Sequence, residues 1–553
     1  MSTLNEKPRF KLPYDTEKWT QRFEDGIEDH EEKHKLIYRE LVNILGSRYV
    51  SDDRGVLEAY GKERQTFSIM SKGRSEFVVL PGRTEDVQKI IALANRYNFP
   101  FSVMSTGAWG TCFAAEGIPY WCQIDLKRMN KLEIDEKNMY AIIEPYVSHA
   151  ELQVESMKRG LYNGTPSAGC QSSSLANHVQ LGYQLGAYRT GACSKNILGM
   201  EWILPNGEIL STGTLATPGA GYFWGEGPGP DARALLRGLL GSHASLGIVT
   251  RIAVKLFPWP GPPVWPVDGT APHMTVNLPP ERFRWYFFGY STIAEAVNAM
   301  RELSKVEIGA IVQRHSLWLM RVYAARSREE DAKLIREKYW EKALGNAPEV
   351  ITVGLWGWTS EKQVEYEEML LKEIVEETGG KWVSDEIYQL SVIDSGIDCI
   401  RSSNCVRQAA RRGLGGDMVD FEMDGFGDMV RAHKFVTEVQ QKYTPPLLDQ
   451  GGAAWIAPYD FGHHALIEIY ARSPERNEES ELRILPGVQE LRQRLMQEGS
   501  LDAVVAKQAQ NIVGSSFTNI HRITAELKRA LDPNSIANPT RFIDMEAMKE
   551  LGK

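Results

Sequence analysis

This 553-residue chain has few cysteines and no excess of positive charge. It also lacks long apolar runs. No cysteine pair has CxxC or zinc-finger spacing, so we expect free thiols rather than a disulfide framework or a zinc site. No apolar run reaches the length of a membrane-spanning helix, and the first residues lack the apolar core of a secretory signal. The formal net charge of −9 argues against a nucleic-acid-binding surface. These absences predict an ordinary globular protein, which we expect to be cytoplasmic.

The most informative segment is 77–117, where a short apolar run ends at Pro81-Gly82 and a helical pattern follows. Thr84 stands where a helix would begin, so its hydroxyl is expected to cap that helix. A second strand, Phe101–Met104, then runs into a turn of small residues. Backbone amides in such a turn bind anions, typically phosphate, although a plain tight turn is the alternative. The turn comprises Ser105, Thr106, Gly107, Ala108, Trp109, Gly110 and Thr111.

This segment resembles the first FAD-binding half-motif of the vanillyl-alcohol oxidase / p-cresol methylhydroxylase flavoprotein superfamily. Four later segments resemble further motifs of the superfamily, in the same order. They are 165–183, 195–213, 239–258 and 530–542, and the last, ALDPNSIANPTRF, is similar to the superfamily's C-terminal ending. On these five ordered matches the chain is identified as a member of the superfamily.

The resemblance implies an α+β fold with a discontinuous FAD-binding domain of two α+β subdomains. A second α+β domain, the cap, is expected to have an antiparallel sheet covered by helices. A proline-rich stretch at 258–269 marks the boundary between the two. The expected divisions are an N-terminal arm and helix over 1–55, the FAD-binding domain over 56–268, the substrate-binding cap over 270–505, and a C-terminal return to the FAD-binding domain over 506–553.

Within the expected cap, amphipathic patterns predict helices at 327–343 and 360–378. Apolar runs predict strands at 285–288, 317–323 and 465–471.

The pyrophosphate of FAD needs backbone amides and small side chains within hydrogen-bonding reach. Besides the first turn, the resemblance places cofactor contacts in the second motif, before a later strand, and near the C-terminus. These residues are Pro166, Ser167, Ala168, Gly169, Ser172, Ser173, Asn177, Gly247, Ile248, Val249, Asn538 and Arg541.

Some relatives bond the flavin covalently through a His, Tyr or Cys. By the resemblance, the corresponding positions here are Trp109, Thr165 and the segment 450–452, none of which carries a suitable nucleophile. Cys170 is close to the second of these positions but offset from it. We therefore predict FAD bound without a covalent bond.

The resemblance places the substrate between the flavin domain and the cap, but the chain mixes features of two branches. The phenol-oxidising branch has an acidic residue close to flavin N5, and no Asp or Glu occurs between Gly182 and Met200. Arg189 could hold a phenolate or carboxylate bidentately, although a surface ion pair is the alternative. A neutral histidine could act as a base, although a structural role is the alternative for each one. The catalytic candidates are Tyr188, Arg189, Tyr459, His463 and His464, with His315, His521 and Asp460 also expected near the flavin.

We expect an FAD-dependent oxidoreductase that moves a hydride from a small organic substrate to flavin N5. A para-substituted phenol is slightly favoured, because segment 223–228 is similar to one in the phenol branch. A lactate- or glycolate-type 2-hydroxy acid is the alternative, and a non-redox reaction like that of alkyl-glycerone-phosphate synthases is a further one. Electrons would pass to oxygen or to a separate acceptor protein. We also expect a homo-oligomer without a metal site.

Overall fold

The protein is described by a computed structural model that defines its secondary structure over several stretches. The described residues are 23, 29–61, 75–107, 121–164, 170–181, 186–213, 215–216, 232–235, 244–270, 273–318, 320, 327–383, 417–447, 452, 455–472, 477–497, 520–539 and 543–546.

The described helices alternate with short strands in the first half and are longer in the second half. They are α1 His30–Leu45, α2 Arg54–Tyr60, α3 Thr84–Tyr97, α4 His149–Met157, α5 Ser174–Ala176, α6 Ala187–Thr190, α7 Ile293–Lys305, α8 Arg328–Glu337, α9 Tyr339–Leu344, α10 Glu361–Glu377, α11 Phe426–Tyr443, α12 Glu478–Gln497 and α13 Ile520–Leu531. The strands are β1 Val50–Ser51, β2 Phe77–Val79, β3 Phe101–Met104, β4 Cys122–Asp125, β5 Leu132–Asp135, β6 Tyr140–Ile143, β7 Leu161–Tyr162, β8 Ile197–Ile203, β9 Ile209–Gly213, β10 Ile248–Lys255, β11 Phe257–Pro258, β12 Val267–Thr270, β13 His273–Val276, β14 Phe283–Tyr290, β15 Ile311–His315, β16 Glu349–Trp356, β17 Lys381–Trp382, β18 Asp417–Asp424, β19 Trp455–Tyr459 and β20 His464–Arg472.

The first predicted segment folds as strand β2, helix α3 and strand β3. β2 and β3 both pair in parallel with β4, and β1 joins β2 antiparallel, which gives the order β1-β2-β4-β3. Val87, Ile90 and Ile91 of α3 are fully buried in one core with this sheet and with α1. The predicted strand–helix–strand unit is therefore confirmed.

The N-terminus of helix α3 is not capped in the way that the sequence predicts. The Thr84 hydroxyl donates to Glu201 Oε1 at 2.8 Å and does not cap the helix. Instead, Asp86 Oδ2 accepts from the backbone N–H of Gly82 at 3.1 Å. The prediction was wrong because Glu201 lies on β8, a partner far away in sequence that local patterns cannot reveal.

A second, antiparallel sheet has the order β5-β6-β10-β8-β9. Glu201 joins this sheet to the first subdomain, since its carboxylate accepts from the Thr84 hydroxyl of α3 and also from the Thr250 hydroxyl of β10, the latter at 2.9 Å. The turn into β10 requires glycine, because Gly247 has a φ of +117° and a Cβ there would lie 2.2 Å from the Ile203 carbonyl oxygen. The chain entering β10 is thus packed directly against β8.

The cap is built on a seven-stranded antiparallel sheet in the order β17-β14-β16-β15-β19-β20-β18. Helices α7, α10, α11 and α12 share one hydrophobic core with one face of this sheet. Ile351, Ile456 and Ile467 point into that core. Because successive strand residues face opposite ways, their neighbours stand on the other face.

Most of the predicted cap elements are confirmed. The helix predicted at 360–378 is α10, and the strands predicted at 285–288 and 465–471 lie within β14 and β20. The helix predicted at 327–343 is divided into α8 and α9 at Lys338, whose φ is +48°. The strand predicted at 317–323 is wrong, since residues 317, 318 and 320 are helical and the strand is the preceding β15. A short apolar run alone does not distinguish a buried strand from a buried helix.

The described helices and cysteines bear on two of the expected absences. None of the helices there combines the length and apolarity needed to cross a bilayer. The cysteines in this part of the chain, Cys122, Cys170 and Cys193, are all free thiols.

Candidate flavin and substrate site

Strand β3 carries the first small-residue turn to the carboxyl edge of the parallel strands. Leu126 N donates to the Met104 carbonyl at 2.8 Å, so the turn begins beside the end of β4. Gly107 has a φ of +63°, and a Cβ there would lie 3.0 Å from the Met104 sulfur. Glycine is the residue that adopts this backbone without strain. Ser105 and Thr106 are half-buried beside it, whereas Ala108, Trp109, Gly110 and Thr111 lie outside the described residues.

A closed polar cluster stands at the same edge of the sheet. The Tyr60 hydroxyl donates to Asp125 Oδ2 at 2.5 Å, and Lys127 Nζ donates to the Tyr60 oxygen at 2.7 Å. Lys127 also pairs with Asp125 at 2.9 Å. Burial and the bond to Asp125 raise the pKa of Tyr60. These bonds hold the end of α2, at Tyr60, against the end of β4, which lies next to the turn.

The second motif forms a loop fastened to the start of α4. Ser173 donates its hydroxyl to the Pro145 carbonyl at 2.6 Å and accepts from Ala176 N at 3.0 Å. Ser172 is buried, and its carbonyl accepts from His149 N at 3.0 Å. Asn177 donates to the Cys193 sulfur at 3.4 Å. The predicted contacts Pro166, Ser167, Ala168 and Gly169 lie outside the described residues.

Two buried histidines flank this loop. His149 begins α4 and His178 follows the loop, with ring centroids 6.2 Å apart and an interplanar angle of 20°. The Nδ1 atom of His178 bonds the Ser174 carbonyl at 2.7 Å. Burial lowers the pKa of His149 to about 3 and that of His178 to about 4. Both rings are therefore neutral near pH 7.

The C-terminal segment lies between β3 and the turn before β10. Phe101 N donates to the Ile536 carbonyl and Asn538 N donates to the Phe101 carbonyl, both at 2.8 Å. The Ser245 hydroxyl donates to the Asn538 carbonyl at 3.1 Å. Asn538 is fully buried, and Ser245 leads into Gly247, Ile248 and Val249, while Arg541 lies outside the described residues.

These loops suit FAD. Gly107 and Gly247 sit where a side chain would meet neighbouring atoms, and Ser172 and Ser173 are buried. Such small residues let backbone amides approach a pyrophosphate closely. The residues that would hold the cofactor are Ser105, Thr106, Gly107, Ser172, Ser173, Asn177, Gly247, Ile248, Val249 and Asn538.

The flavin domain and the cap meet at helix α6 and the turn between β19 and β20. Asp460 N donates to the Ala187 carbonyl at 3.0 Å, and Phe461 N donates to the Tyr188 carbonyl at 2.7 Å. The Tyr188 ring is 1% exposed and belongs to the hydrophobic core of the cap. Burial raises the pKa of Tyr188. The Tyr188 ring is therefore packed into the cap at the contact between the two domains.

Arg189, the next residue, faces aromatic rings of the cap. Its guanidinium carbon lies 4.2 Å from the ring centroid of Trp358 and 5.7 Å from that of Phe461. Among the described residues no carboxylate pairs with it. Stacking occupies the faces of a guanidinium and leaves its N–H edge available for an anion.

The other catalytic candidates surround the same turn. His464 pairs with Tyr459 across the β19–β20 hairpin, with ring centroids 5.6 Å apart. Burial and the charge of Lys195 lower the pKa of His464 to about 4. Tyr459 is fully buried and His463 is exposed. His521 is buried on α13, away from this hairpin in the sequence.

The turn also supplies a carboxylate to the segment that lacks one. Asp460 Oδ2 lies 3.4 Å from Lys195 Nζ. A Cβ on Gly191 would lie 3.8 Å from Asp460 Oδ1. The sequence contains no acid between Gly182 and Met200, and the cap brings one there.

The sheet face opposite the cap helices carries buried polar and aromatic residues that sequence reasoning largely missed. The strand register puts His315, Trp455 and Glu468 in one row across β15, β19 and β20. Trp455 Nε1 donates to Gln313 Oε1 at 3.0 Å. Burial lowers the pKa of His315 to about 3, so its ring is neutral. Alternation in β20 between apolar residues and His464, Glu468 and Arg472 was the available signal.

Comparison with known proteins agrees with this geometry. A family model described as an FAD binding domain matches residues 75–213. The chain is 30% identical to 1'-carboxy-chondrochloren decarboxylase of Chondromyces crocatus, over 39% of each protein. It is 25% identical to the flavoprotein subunit of 4-cresol dehydrogenase (hydroxylating) of Pseudomonas putida, over 83% of this chain and 85% of that one. Alignments with the first curated relatives thus span only about two fifths of their length.

The whole fold is shared with a solved flavoenzyme. The structure of p-cresol methylhydroxylase with substrate bound superposes with a TM-score of 0.75 at 20% identity, over 94% of this chain and 98% of that one. Residues 75–213 thus match an FAD binding domain within the fold of that flavoenzyme. The fold of this chain is therefore the one seen in p-cresol methylhydroxylase.

Gly107→Val is expected to yield protein without FAD, because a side chain would project from the turn that is predicted to face the pyrophosphate. Gly160→Val is the matched control, since Gly160 has a similar φ of +69° but nothing within 4 Å of a built Cβ. Both changes carry a backbone strain of about 1–2 kcal/mol. Absorbance of the purified proteins gives the FAD content. Full occupancy in Gly107→Val, or equal loss in both variants, would contradict the assignment.

Acid should destabilise the protein through His149 and His178. Both are neutral when folded and have pKa values of about 3 and about 4, whereas 6.5 is the ordinary value. Below pH 6.5 the unfolded chain binds protons that the folded chain does not. Each histidine therefore lowers the free energy of unfolding by about 1.4 kcal/mol per pH unit over that window.

Urea unfolding at pH 7 and pH 5 measures this effect. The variant His149→Leu/His178→Leu should lose less stability on acidification than the unmodified protein. His30→Gln, at an exposed position, is the control and should leave the pH dependence unchanged. An equal slope in the double variant would show that the pair does not titrate on unfolding.

Proposed function

We propose that this enzyme oxidises a para-substituted phenol, with the substrate held between the flavin domain and the cap. The observation that carries the proposal is the length of the alignment with the 4-cresol dehydrogenase flavoprotein subunit. That alignment covers 83% of this chain and so extends beyond the FAD-binding half. The cap is the part expected to recognise the substrate.

Arg189 is proposed to bind the phenolate oxygen of the substrate. Its ring contacts restrain the guanidinium, and a restrained guanidinium favours bidentate binding of an anion. A cation beside a phenol also lowers the pKa of that phenol. Arg189 would thus stabilise the anionic form of the substrate at the junction of the two domains.

Asp460 and His464 are the proposed acid–base groups. Both belong to the β19–β20 hairpin, and Lys195 faces both of them. His464 is neutral at pH 7, because burial and the charge of Lys195 lower its pKa to about 4. The Asp460 carboxylate would take the place of the acid that the phenol branch carries in the flavin domain.

The inner face of the cap sheet would form the wall around the substrate ring. Trp455 is 2% exposed, and its indole is held by Gln313. A fixed aromatic plane suits a phenol ring, which packs on it by its face or edge. FAD, when bound, supplies the ring that accepts a hydride, and with it two electrons. The residues named here bind the substrate, orient it and hold its proton.

Anaerobic mixing with candidate substrates tests the function. A para-alkylphenol or para-hydroxybenzyl alcohol should bleach the flavin absorbance, whereas D-lactate and glycolate should not. Bleaching by the hydroxy acids alone would replace the proposal with the second branch.

Arg189→Met tests the site. It removes the charge while keeping much of the side chain, so flavin reduction should slow by about tenfold or more at unchanged FAD content. Arg431→Met is the control, because Arg431 pairs with Asp428 on the outside of α11. An unchanged rate in Arg189→Met would move the anion-binding group elsewhere in the cap.

The cofactor is proposed to be held without a covalent bond. The presumed linkage positions Trp109, Thr165 and 450–451 lie outside the described residues, so the prediction rests on their residue types. Acid precipitation should release the yellow colour into the supernatant. Flavin fluorescence that stays with the denatured polypeptide would contradict this.

The electron acceptor is proposed to be a separate protein or oxygen. The relative from Pseudomonas putida is itself named a flavoprotein subunit, which supports a protein acceptor. The expected homo-oligomer and cytoplasmic location stay predictions.

A further inference from the structure

A fully buried lysine joins two of the cofactor loops. Lys528, on α13, is 0% exposed, and its partner Asp532 is 1% exposed. The Lys528 ammonium donates to Asp532 Oδ2 at 2.6 Å and to the Ala537 carbonyl at 2.7 Å. It also donates to the Ser245 carbonyl. An ammonium has three protons to donate, so these three bonds use all of them.

Packing alone does not explain a charge at this position. Burial lowers the pKa of Lys528, while the nearby Asp532 raises it. Removing an ammonium and a carboxylate from water costs several kcal/mol per ion, and an apolar residue would fill the space without that cost. The distinctive property of the ammonium is that it binds three oxygens in fixed directions.

The oxygens that Lys528 binds belong to segments far apart in the chain. Ser245 is 283 residues away and leads into Gly247, Ile248 and Val249. Ala537 precedes Asn538, which bonds Phe101 at the start of β3. β3 ends at the turn that contains Gly107. One side chain therefore sets the distance between the segment behind the first turn and the segment before β10.

Asp532 completes the arrangement from the other side. Its two carboxylate oxygens accept from Ile536 N at 3.1 Å and from Ala537 N at 3.0 Å. These bonds hold the C-terminal segment in the form that presents the Ala537 carbonyl to Lys528. The family model that marks the FAD binding domain ends at residue 213, long before this segment.

We propose that Lys528 is a positioning residue for FAD, and that the buried Lys528–Asp532 pair fixes the loop at 245–249 against the C-terminal segment behind β3. Without the ammonium, the Ser245 and Ala537 carbonyls would lose their common donor. The amides of the two loops would then no longer be held at the separation that the cofactor spans.

Titration of the apoprotein with FAD, followed by quenching of flavin fluorescence, tests this. Lys528→Met should raise the Kd for FAD by about tenfold or more. Saturating FAD should still restore a fully yellow protein, because the loops lose their fixed spacing and keep their residues. Asp532→Asn, a nearly isosteric change, should raise the Kd in the same direction and serves if Lys528→Met does not fold.

The control must separate positioning from loss of stability. Arg314→Met breaks another buried ion pair, that of Arg314 with Glu349, whose side chains are 2% and 14% exposed. It lies in the cap and should lower the unfolding midpoint of the apoprotein without changing the Kd for FAD. An unchanged Kd in both Lys528→Met and Asp532→Asn, or an equal rise in Arg314→Met, would overturn the proposal.

Discussion

The requirement that a buried ammonium be fully hydrogen-bonded determines how the flavin domain is assembled. Lys528 finds its acceptors on Asp532, Ala537 and Ser245, so the C-terminal segment must reach the turn before β10. Since Asn538 also bonds Phe101, the same segment extends to the first parallel sheet. The same segment also contributes to the hydrophobic core around β3, which includes Ile536.

The cap is joined to the flavin domain in a different way. At that junction an apolar anchor replaces the ion pair, since the Tyr188 ring enters the core between the cap sheet and its helices. Two backbone hydrogen bonds from Asp460 and Phe461 then align the hairpin with helix α6. Hydrophobic burial is not directional, and the hydrogen bonds supply the orientation that it lacks. The position of the hairpin relative to α6 is therefore well defined.

Local patterns predicted the parts of the structure that depend on near neighbours. The β2–α3–β3 unit and α10 were predictable because their apolar spacing and helix signals lie within one segment. The N-terminal capping of helix α3 was not predictable, because the Thr84 hydroxyl bonds Glu201, which lies on another sheet. The break at Lys338 also escaped prediction, since the residue adopts a left-handed conformation that its type does not favour.

Local patterns were still less able to predict which residues come together in the cap and at its junction with the flavin domain. The motifs led to the candidate cofactor loops because a pyrophosphate requires small residues, and small residues are visible in a sequence. The row formed by His315, Trp455 and Glu468 depends on the register of three strands, of which β15 and β19 are far apart in the chain. The carboxylate of Asp460 likewise reaches Lys195 across 265 residues. Absence of an acid within one segment therefore says little about the charge around that segment in the fold.

The turn that carries Asp460 also shows backbone strain. Asp460 and Phe461 have φ values of +52° and +51°, and Gly462 follows with +82°. Two consecutive non-glycine residues in this conformation persist only where surrounding contacts hold them. Here the carbonyls of Ala187 and Tyr188, both in the flavin domain, accept the hydrogen bonds that fix the turn. The conformation that aims the Asp460 carboxylate is thus maintained by the domain that binds FAD. Any site built on this turn must for that reason be a joint property of the two domains, and neither one alone would preserve it.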